Sequence, residues 1–256
     1  MFDGGTIENI DVTAFGLKKE EVSFYRFPAP CFLVVHPKGT LMWDTGVVPD
    51  TAWTYTGSPV TFKVVLPDRQ RKITLLQPLK MQLAQIGYSP SDINFLALSH
   101  YHYDHTANAN QFSNATWLVR QNEFNAMFAQ SPPLVTLPSY YSTLQKGRIQ
   151  IITKDEYDVF GDGTVTIKSA PGHTPGHQVL FLKLAKAGNI VLSGDLYHYP
   201  EEKTLNRVPN FEFNQEQTRA TRAMIDTFLK KTNSTLWIQH DLNTYKMLKK
   251  SPAYYE

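Results

Sequence analysis

A layered α/β fold is predicted by two features of this 256-residue sequence. Strand-like runs dominate both halves and are interrupted by scattered helical stretches, a pattern that fits layered sheets better than a parallel doubly wound one. Several of these strands are followed directly by a His or Asp, as happens when strand ends gather a site on one rim of a sheet. No linker separates the halves, so residues 1–256 read as a single domain.

VSFYRF (22–27), CFLVVH (31–36) and GTLMWD (39–44) read as strands divided by Pro and Gly turns. Residues 47–73 are aromatic and Pro-containing, lack a clean period, and read as a long loop. Apolar residues recur at helical spacing over 74–88, with Pro78 placed in the first turn, where its missing N–H is tolerated. A strand over 93–98 leads into HYHYDH. Strand 116–120, helix 121–129 and a Pro- and Tyr-rich loop over 131–142 follow. The second half reads as strands 149–153, 164–169, 177–184 and 189–193, a helix over 214–231 and a last strand, 235–239.

Composition excludes several classes of function. A hydrophobic content of 42% supports a sizeable core, and a net charge of +2 gives no electrostatic case for nucleic acid. No stretch approaches the roughly 20 consecutive apolar residues of a membrane span. The single cysteine, Cys31, excludes an internal disulfide and sits in a strand-like run, so it reads as a packed core thiol. MFDGGTIENI lacks the basic start and apolar stretch of a secretory signal, which makes the cytoplasm the default compartment. A trimmed precursor would instead place the chain in the periplasm or outside the cell.

The densest chemistry lies in residues 100–105. His100 and His102, two apart, can turn imidazoles toward one ion, while Asp104 and His105, further along, can serve a second. Imidazole and carboxylate suit zinc and similar cations, whereas structural zinc usually recruits cysteines. His173 follows strand 164–169 in a Pro/Gly-rich turn, Asp195 follows NIVLSG, and His240 follows TLWIQ. Gly194 permits close backbone approach beside Asp195.

This order and spacing resembles the metallo-β-lactamase superfamily, with LMWDTG (41–46) similar to its second strand and following turn. The resemblance spans residues 31–240. It implies a four-layer αβ/βα sandwich with two divalent metal ions, zinc first, at one edge. His100, His102 and His173 would hold one ion, and Asp104, His105 and His240 the other, with Asp195 between them. Water on such a pair is acidified, so the implied class is metal-assisted hydrolysis, with Asp104 carrying a proton to the leaving oxygen.

Within the superfamily the chain is similar to the N-acyl homoserine lactone lactonases. Asp195 stands where β-lactamases typically carry Ser or Cys, and only sixteen residues follow His240, too few for the helical domain of glyoxalase II enzymes. The expected partner is a small-molecule lactone bearing an acyl chain, and the family resemblance suggests a homodimer. The alternative is another hydrolase on the same centre: an organophosphate triesterase, an arylesterase or a β-lactamase-like enzyme. Candidate channel residues are Val47, Val48, Trp53, Tyr55, Leu134, Tyr140, Tyr141, Phe211 and Phe213. The lactonases often carry a tyrosine three residues after the bridging aspartate, where its hydroxyl helps hold the substrate carbonyl. Here that position is His198, whose ring can donate the same hydrogen bond. Asp44 is expected to hydrogen-bond a ligand imidazole, with Thr174 and Asp241 able to do likewise. His36 and His177 lie in strand-like segments without acidic neighbours and are read as structural.

Overall fold

The computed structural model of the protein describes residues 1–52 and 57–256. In chain order the strands begin with β1 (Thr6–Ile7), β2 (Phe27–Pro28), β3 (Phe32–His36), β4 (Gly39–Trp43), β5 (Val60–Val65), β6 (Gln70–Leu75) and β7 (Phe95–Ala97). They continue with β8 (Thr116–Arg120), β9 (Arg148–Ile152), β10 (Glu156–Asp158), β11 (Val165–Ser169), β12 (Gln178–Leu184), β13 (Gly188–Leu192) and β14 (Ser234–Trp237). The helices are α1 (Leu79–Ala84), α2 (Tyr103–Thr106), α3 (Gln121–Met127), α4 (Pro200–Thr204), α5 (Gln215–Thr232) and α6 (Leu242–Met247).

Two five-stranded sheets, ordered β3-β4-β7-β8-β9 and β10-β11-β12-β13-β14, form the middle of the molecule. The period-2 alternation of the strands explains the layering. Leu41, Trp43, Ala97 and Leu118 from one sheet pack against Ile167, Leu180, Leu182, Ile190 and Leu192 from the other. Their sequence neighbours point outward. Met42, Leu96, Trp117 and Val119 meet Leu79 and Leu83 of α1 and Met127 of α3. Val179, Phe181 and Val191 meet Ile225 and Leu229 of α5. Helix, sheet, sheet, helix is the αβ/βα sandwich expected from the sequence.

A third sheet, β2-β1-β6-β5, caps one rim with its own core of Ile7, Phe15, Phe27, Ile73, Leu75 and Tyr199. Here the sequence reading needs correction. Residues 60–65 and 70–75 form an antiparallel hairpin rather than a long loop. The helix expected over 74–88 is only Leu79–Ala84, because Pro78 caps it in an extended conformation (φ −64°, ψ 151°) and Leu75 still belongs to β6. Of the strand read over 22–27, only Phe27 pairs, continuing to Pro28. Cys31 is fully buried, as expected. Among the described residues no helix is long and apolar enough to cross a membrane.

Candidate metal centre

The carboxyl ends of β7, β11, β13 and β14 deliver the predicted donors to one rim. After β7 the chain runs extended through His102 (ψ 150°) and then closes the short helix α2, so His100 and His102 precede the turn while Asp104 and His105 lie within it. His173 sits in the turn after β11, Asp195 follows β13 and His240 follows β14. His100, His102, His173 and Asp195 form one set of donor atoms, and Asp104, His105 and His240 a second, each lying within 4.8 Å of one another. The structure therefore gathers all seven residues singled out from the sequence.

Asp195 stands between the sets. Its Oδ1 lies 3.1 Å from Nε2 of both His105 and His240, while Oδ2 lies 3.5 Å from His100 Nε2 and 3.3 Å from His173 Nε2. Burial alone would raise the Asp195 carboxyl, but the imidazoles of His240, His105 and His100 hold it well below the usual range. Gly194 makes the turn possible at φ +50°: a Cβ there would sit 2.6 Å from His177 Nε2 and 2.7 Å from Ser99 Cβ.

Three of the rings are oriented from behind. Nδ1 of His105 donates to Asp44 Oδ2 (2.9 Å), Nδ1 of His240 to the Pro28 carbonyl (2.8 Å) and Nδ1 of His173 to Glu212 Oε1 (2.8 Å). Asp44 also accepts from the Ser99 N–H and from Gln239 Nε2, so the predicted role of Asp44 is seen directly. With their Nδ1 protons committed, the Nε2 edges of these rings point into the site, each offering a lone pair once the ring is neutral. Nε2 of His105 faces Nε2 of His240 at 3.3 Å, and Nε2 of His173 faces Nδ1 of His102 at 3.1 Å. His100 Nε2 and Asp195 Oδ1 are buried and make no hydrogen bond. Converging lone pairs and orphaned acceptors are repulsive unless a cation lies among them, so the donor set fits divalent metal ions. Burial holds His100 and His102 well below the usual imidazole range, which keeps both in the neutral, ligating form.

Carboxylates that the sequence reading missed complete the frame. Glu123, buried on α3, accepts from the Tyr101 N–H (2.7 Å), the Gly176 N–H (2.8 Å) and Thr174 Oγ1. It thereby ties the loop of His100 and His102 to that of His173. An acid on the same helix face as Met127 was the available signal. Glu202, buried on α4, lies 3.2 Å from His198 Nδ1, accepts from the His198 and Tyr199 N–H groups and pairs with Arg222. Glu212, between two phenylalanines, carried no periodic signal.

Several expectations are corrected. Thr174 bonds Glu123 rather than a ligand ring. Asp241 caps α6 through the Asn243 N–H. His36 does have an acidic neighbour, Asp162, at 2.9 Å. His177 packs below the site as expected: its Nδ1 donates to the Ala170 carbonyl and its Nε2 accepts from the Asp195 N–H at 2.9 Å.

A cavity of about 310 Å³ opens beside the donors. Ile7, Ile10, Phe15, Phe27, Val135 and Phe211 give it apolar walls, and His198, Tyr103, Arg69 and Arg71 contribute polar groups. His198 Nε2 lies 3.1 Å from Asp195 Oδ2, with its ring edge-on to Phe15 and stacked on His240. Of the expected channel residues among those described, only Phe211 lines this cavity. Val47, Val48 and Tyr141 are core residues, Tyr140 packs against the same cores, and Leu134 and Phe213 are exposed to solvent. Trp53 and Tyr55 lie outside the described residues.

An αβ/βα sandwich carrying two such donor sets at its strand ends is the scaffold of a metal-dependent hydrolase. The chain belongs to the metallo-beta-lactamase superfamily, whose sequence profile matches residues 25–234. The N-acyl homoserine lactonase AttM of Rhizobium radiobacter is 30% identical over 245 residues, covering 90% of this chain and 88% of that protein. AttM of Azorhizobium caulinodans is 28% identical over 242 residues, covering 91% and 89%. The N-acyl homoserine lactonase AiiA of Bacillus thuringiensis subsp. kurstaki is 25% identical over 233 residues, covering 89% and 86%. Among solved structures, a B. thuringiensis AiiA variant with N-decanoyl-L-homoserine at its active site superposes with a TM-score of 0.79 at 22% identity. That likeness covers 100% of this chain and 97% of the other and concerns the fold.

Proposed function

We propose that this protein opens the lactone ring of N-acyl homoserine lactones. The observation that carries the reading is Asp195, which offers one oxygen to each donor set at the edge of a cavity that has both apolar and polar walls. The similarity to N-acyl homoserine lactonases over nine-tenths of the chain supports the choice of substrate.

When bound, two divalent cations, zinc foremost, would supply Lewis acidity and hydroxide near neutral pH. The chain's own residues do the remaining work. Asp195 fixes the spacing of the two sets. Asp104 reaches the cavity with its Oδ2 3.6 Å from His240 Nε2 and 3.9 Å from His105 Nε2, and it delivers a proton to the leaving ring oxygen. Glu202 Oε1 lies 3.2 Å from Nδ1 of His198 and Asp195 Oδ2 3.1 Å from its Nε2, so the Nε2 edge faces the donors, where it would hydrogen-bond the substrate carbonyl. Phe15, Phe27 and Phe211 shield the ring from bulk water.

The test is a pH-indicator assay of the zinc-loaded protein on a lactone panel, with a paraoxon-like triester and nitrocefin as comparators. Lactones should be the best substrates. Asp104→Asn should lower their hydrolysis by about 10²-fold or more with thermal unfolding unchanged. Inactivity on every lactone with turnover of a comparator would refute the reading.

A further inference from the structure

The inward face of β6 changes character where it meets the cavity. Alternate side chains of a strand share a face; Leu75, Ile73 and Arg71 share this one, and Arg69, in the turn just before β6, lines the same cavity. Leu75 and Ile73 are buried in the rim core, whereas Arg71 and Arg69 line the cavity. Gln70 and Lys72, on the opposite face, are exposed. Across the hairpin Arg71 is paired with Val64, which is itself buried. A guanidinium therefore stands where a hydrocarbon side chain would continue the pattern.

The two arginines differ in what they already hold. Nε of Arg69 donates to Asp68 Oδ2 at 2.8 Å, and Nη2 donates to the same oxygen. Arg71 stands half-buried beside the Tyr103 hydroxyl and, among the described residues, forms no ion pair. Asp11 also lines the cavity, but its carboxylate accepts from Thr13 N and Oγ1. A planar guanidinium that hydrogen-bonds Tyr103 but pairs with no described carboxylate, beside apolar walls, suits a carboxylate that enters with the ligand.

We propose that the acyl chain of the substrate carries a carboxylate distal to the ring and that Arg71 receives it. For the ring itself this rests on the lactonase reading above. Arg71 would then be a specificity-determining residue rather than part of the ring-opening machinery.

The experiment compares N-adipoyl with N-hexanoyl homoserine lactone, chains of equal length ending in carboxylate or methyl. Wild-type kcat/KM should favour the adipoyl compound by about tenfold or more at low ionic strength, because hydrogen bonds to charged groups are the strong ones. Added salt should narrow the ratio. Arg71→Met keeps the aliphatic stem and should erase the preference while leaving the hexanoyl rate in place. Equal or reversed wild-type rates, or loss of both rates alike in Arg71→Met, would overturn the proposal. Binding of the corresponding γ-lactam amides, which carry the same tails on a ring that resists opening, is measured by calorimetry. Tighter binding of the carboxylate-ended lactam without turnover of any lactone would sustain Arg71 and sink the lactonase reading. Equal binding of the two lactams would sink the Arg71 proposal even if both lactones are opened.

Discussion

Replacing Glu212 with glutamine should weaken binding of the cation that His100, His102 and His173 would hold, and the loss should grow with pH. The Glu212 side chain is wholly buried, with Oε1 2.8 Å from His173 Nδ1 and Oε2 accepting from Thr218 Oγ1. Its charge makes His173 a stronger base toward protons and metals alike. Burial opposes a charge on His173, but Glu212 and Asp195 lift it to about 9. Below that pH an incoming cation must displace a proton, so apparent affinity falls about tenfold per unit as pH drops; above it the competition vanishes. Glutamine keeps an oxygen for the Nδ1 proton but removes the charge. His173 in the variant then sheds its proton at lower pH and also grips metal less well. These effects partly cancel near neutrality and stand uncancelled above about pH 9. Groups that orient a ligand imidazole are worth roughly 10- to 100-fold in metal affinity, so a deficit in that range is expected at about pH 9.5 and a smaller one at about pH 7. Chelator-competition titrations across that range read it directly. No deficit at the alkaline end would refute the role of Glu212, and a deficit independent of pH would show that it does not act through the His173 proton.

Two further outcomes follow from the same geometry. On the proposed lactonase reading, Glu202→Gln and His198→Phe should each lower lactone kcat/KM by about ten- to a hundredfold with metal content retained, and the double variant should be little worse than either, since both would act through the one hydrogen bond proposed for the carbonyl. Additive losses in steady-state kinetics would separate the two residues. Gly194→Ala should be destabilised by about 1–3 kcal/mol in chemical denaturation, because its Cβ would meet His177 and Ser99 at a left-handed φ; wild-type stability would show that the turn has room to relax.

The donors were legible in the sequence because each follows an apolar run that becomes a buried strand. HYHYDH, His173, Asp195 and His240 all lie just past strand ends, and the layered fold follows from the same runs. The β5–β6 hairpin was not legible for a physical reason. Its alternation exists, with Val64, Ile73 and Leu75 buried, but Arg71 occupies an inward position and interrupts it. A strand that lines a cavity can violate the apolar pattern that would reveal it. Glu123 and Glu212 were harder to read for another reason: their partners, the Tyr101 and Gly176 amides, the Thr174 hydroxyl and the His173 ring, are brought close by the fold, and Glu202, though only four residues from His198, pairs with the distant Arg222.

Glu123 offers the most direct way to read how that buried carboxylate frame is held. Its oxygens accept from Tyr101 N, Gly176 N and Thr174 Oγ1, yet burial outweighs these donors and pushes its pKa from 4.5 up to about 7. A raised folded-state pKa means that the native protein binds this proton more tightly than the unfolded chain. The associated stability is present in full below about pH 4.5 and is lost as pH rises through about 7. At 1.36 kcal/mol per unit the swing amounts to roughly 3 kcal/mol. Glu123→Gln carries no titrating group, so its stability relative to wild type should improve by up to that amount between about pH 5 and pH 8. Taking the difference between the two proteins cancels the pH dependence that they share through the histidines and the bound cations. Urea denaturation at matched metal loading measures it. Parallel stability curves would mean that the amide donors keep Glu123 ionised throughout. In that case the tie between the His100–His102 and His173 loops would be a permanent charge, and Glu123→Gln should instead weaken metal binding at every pH.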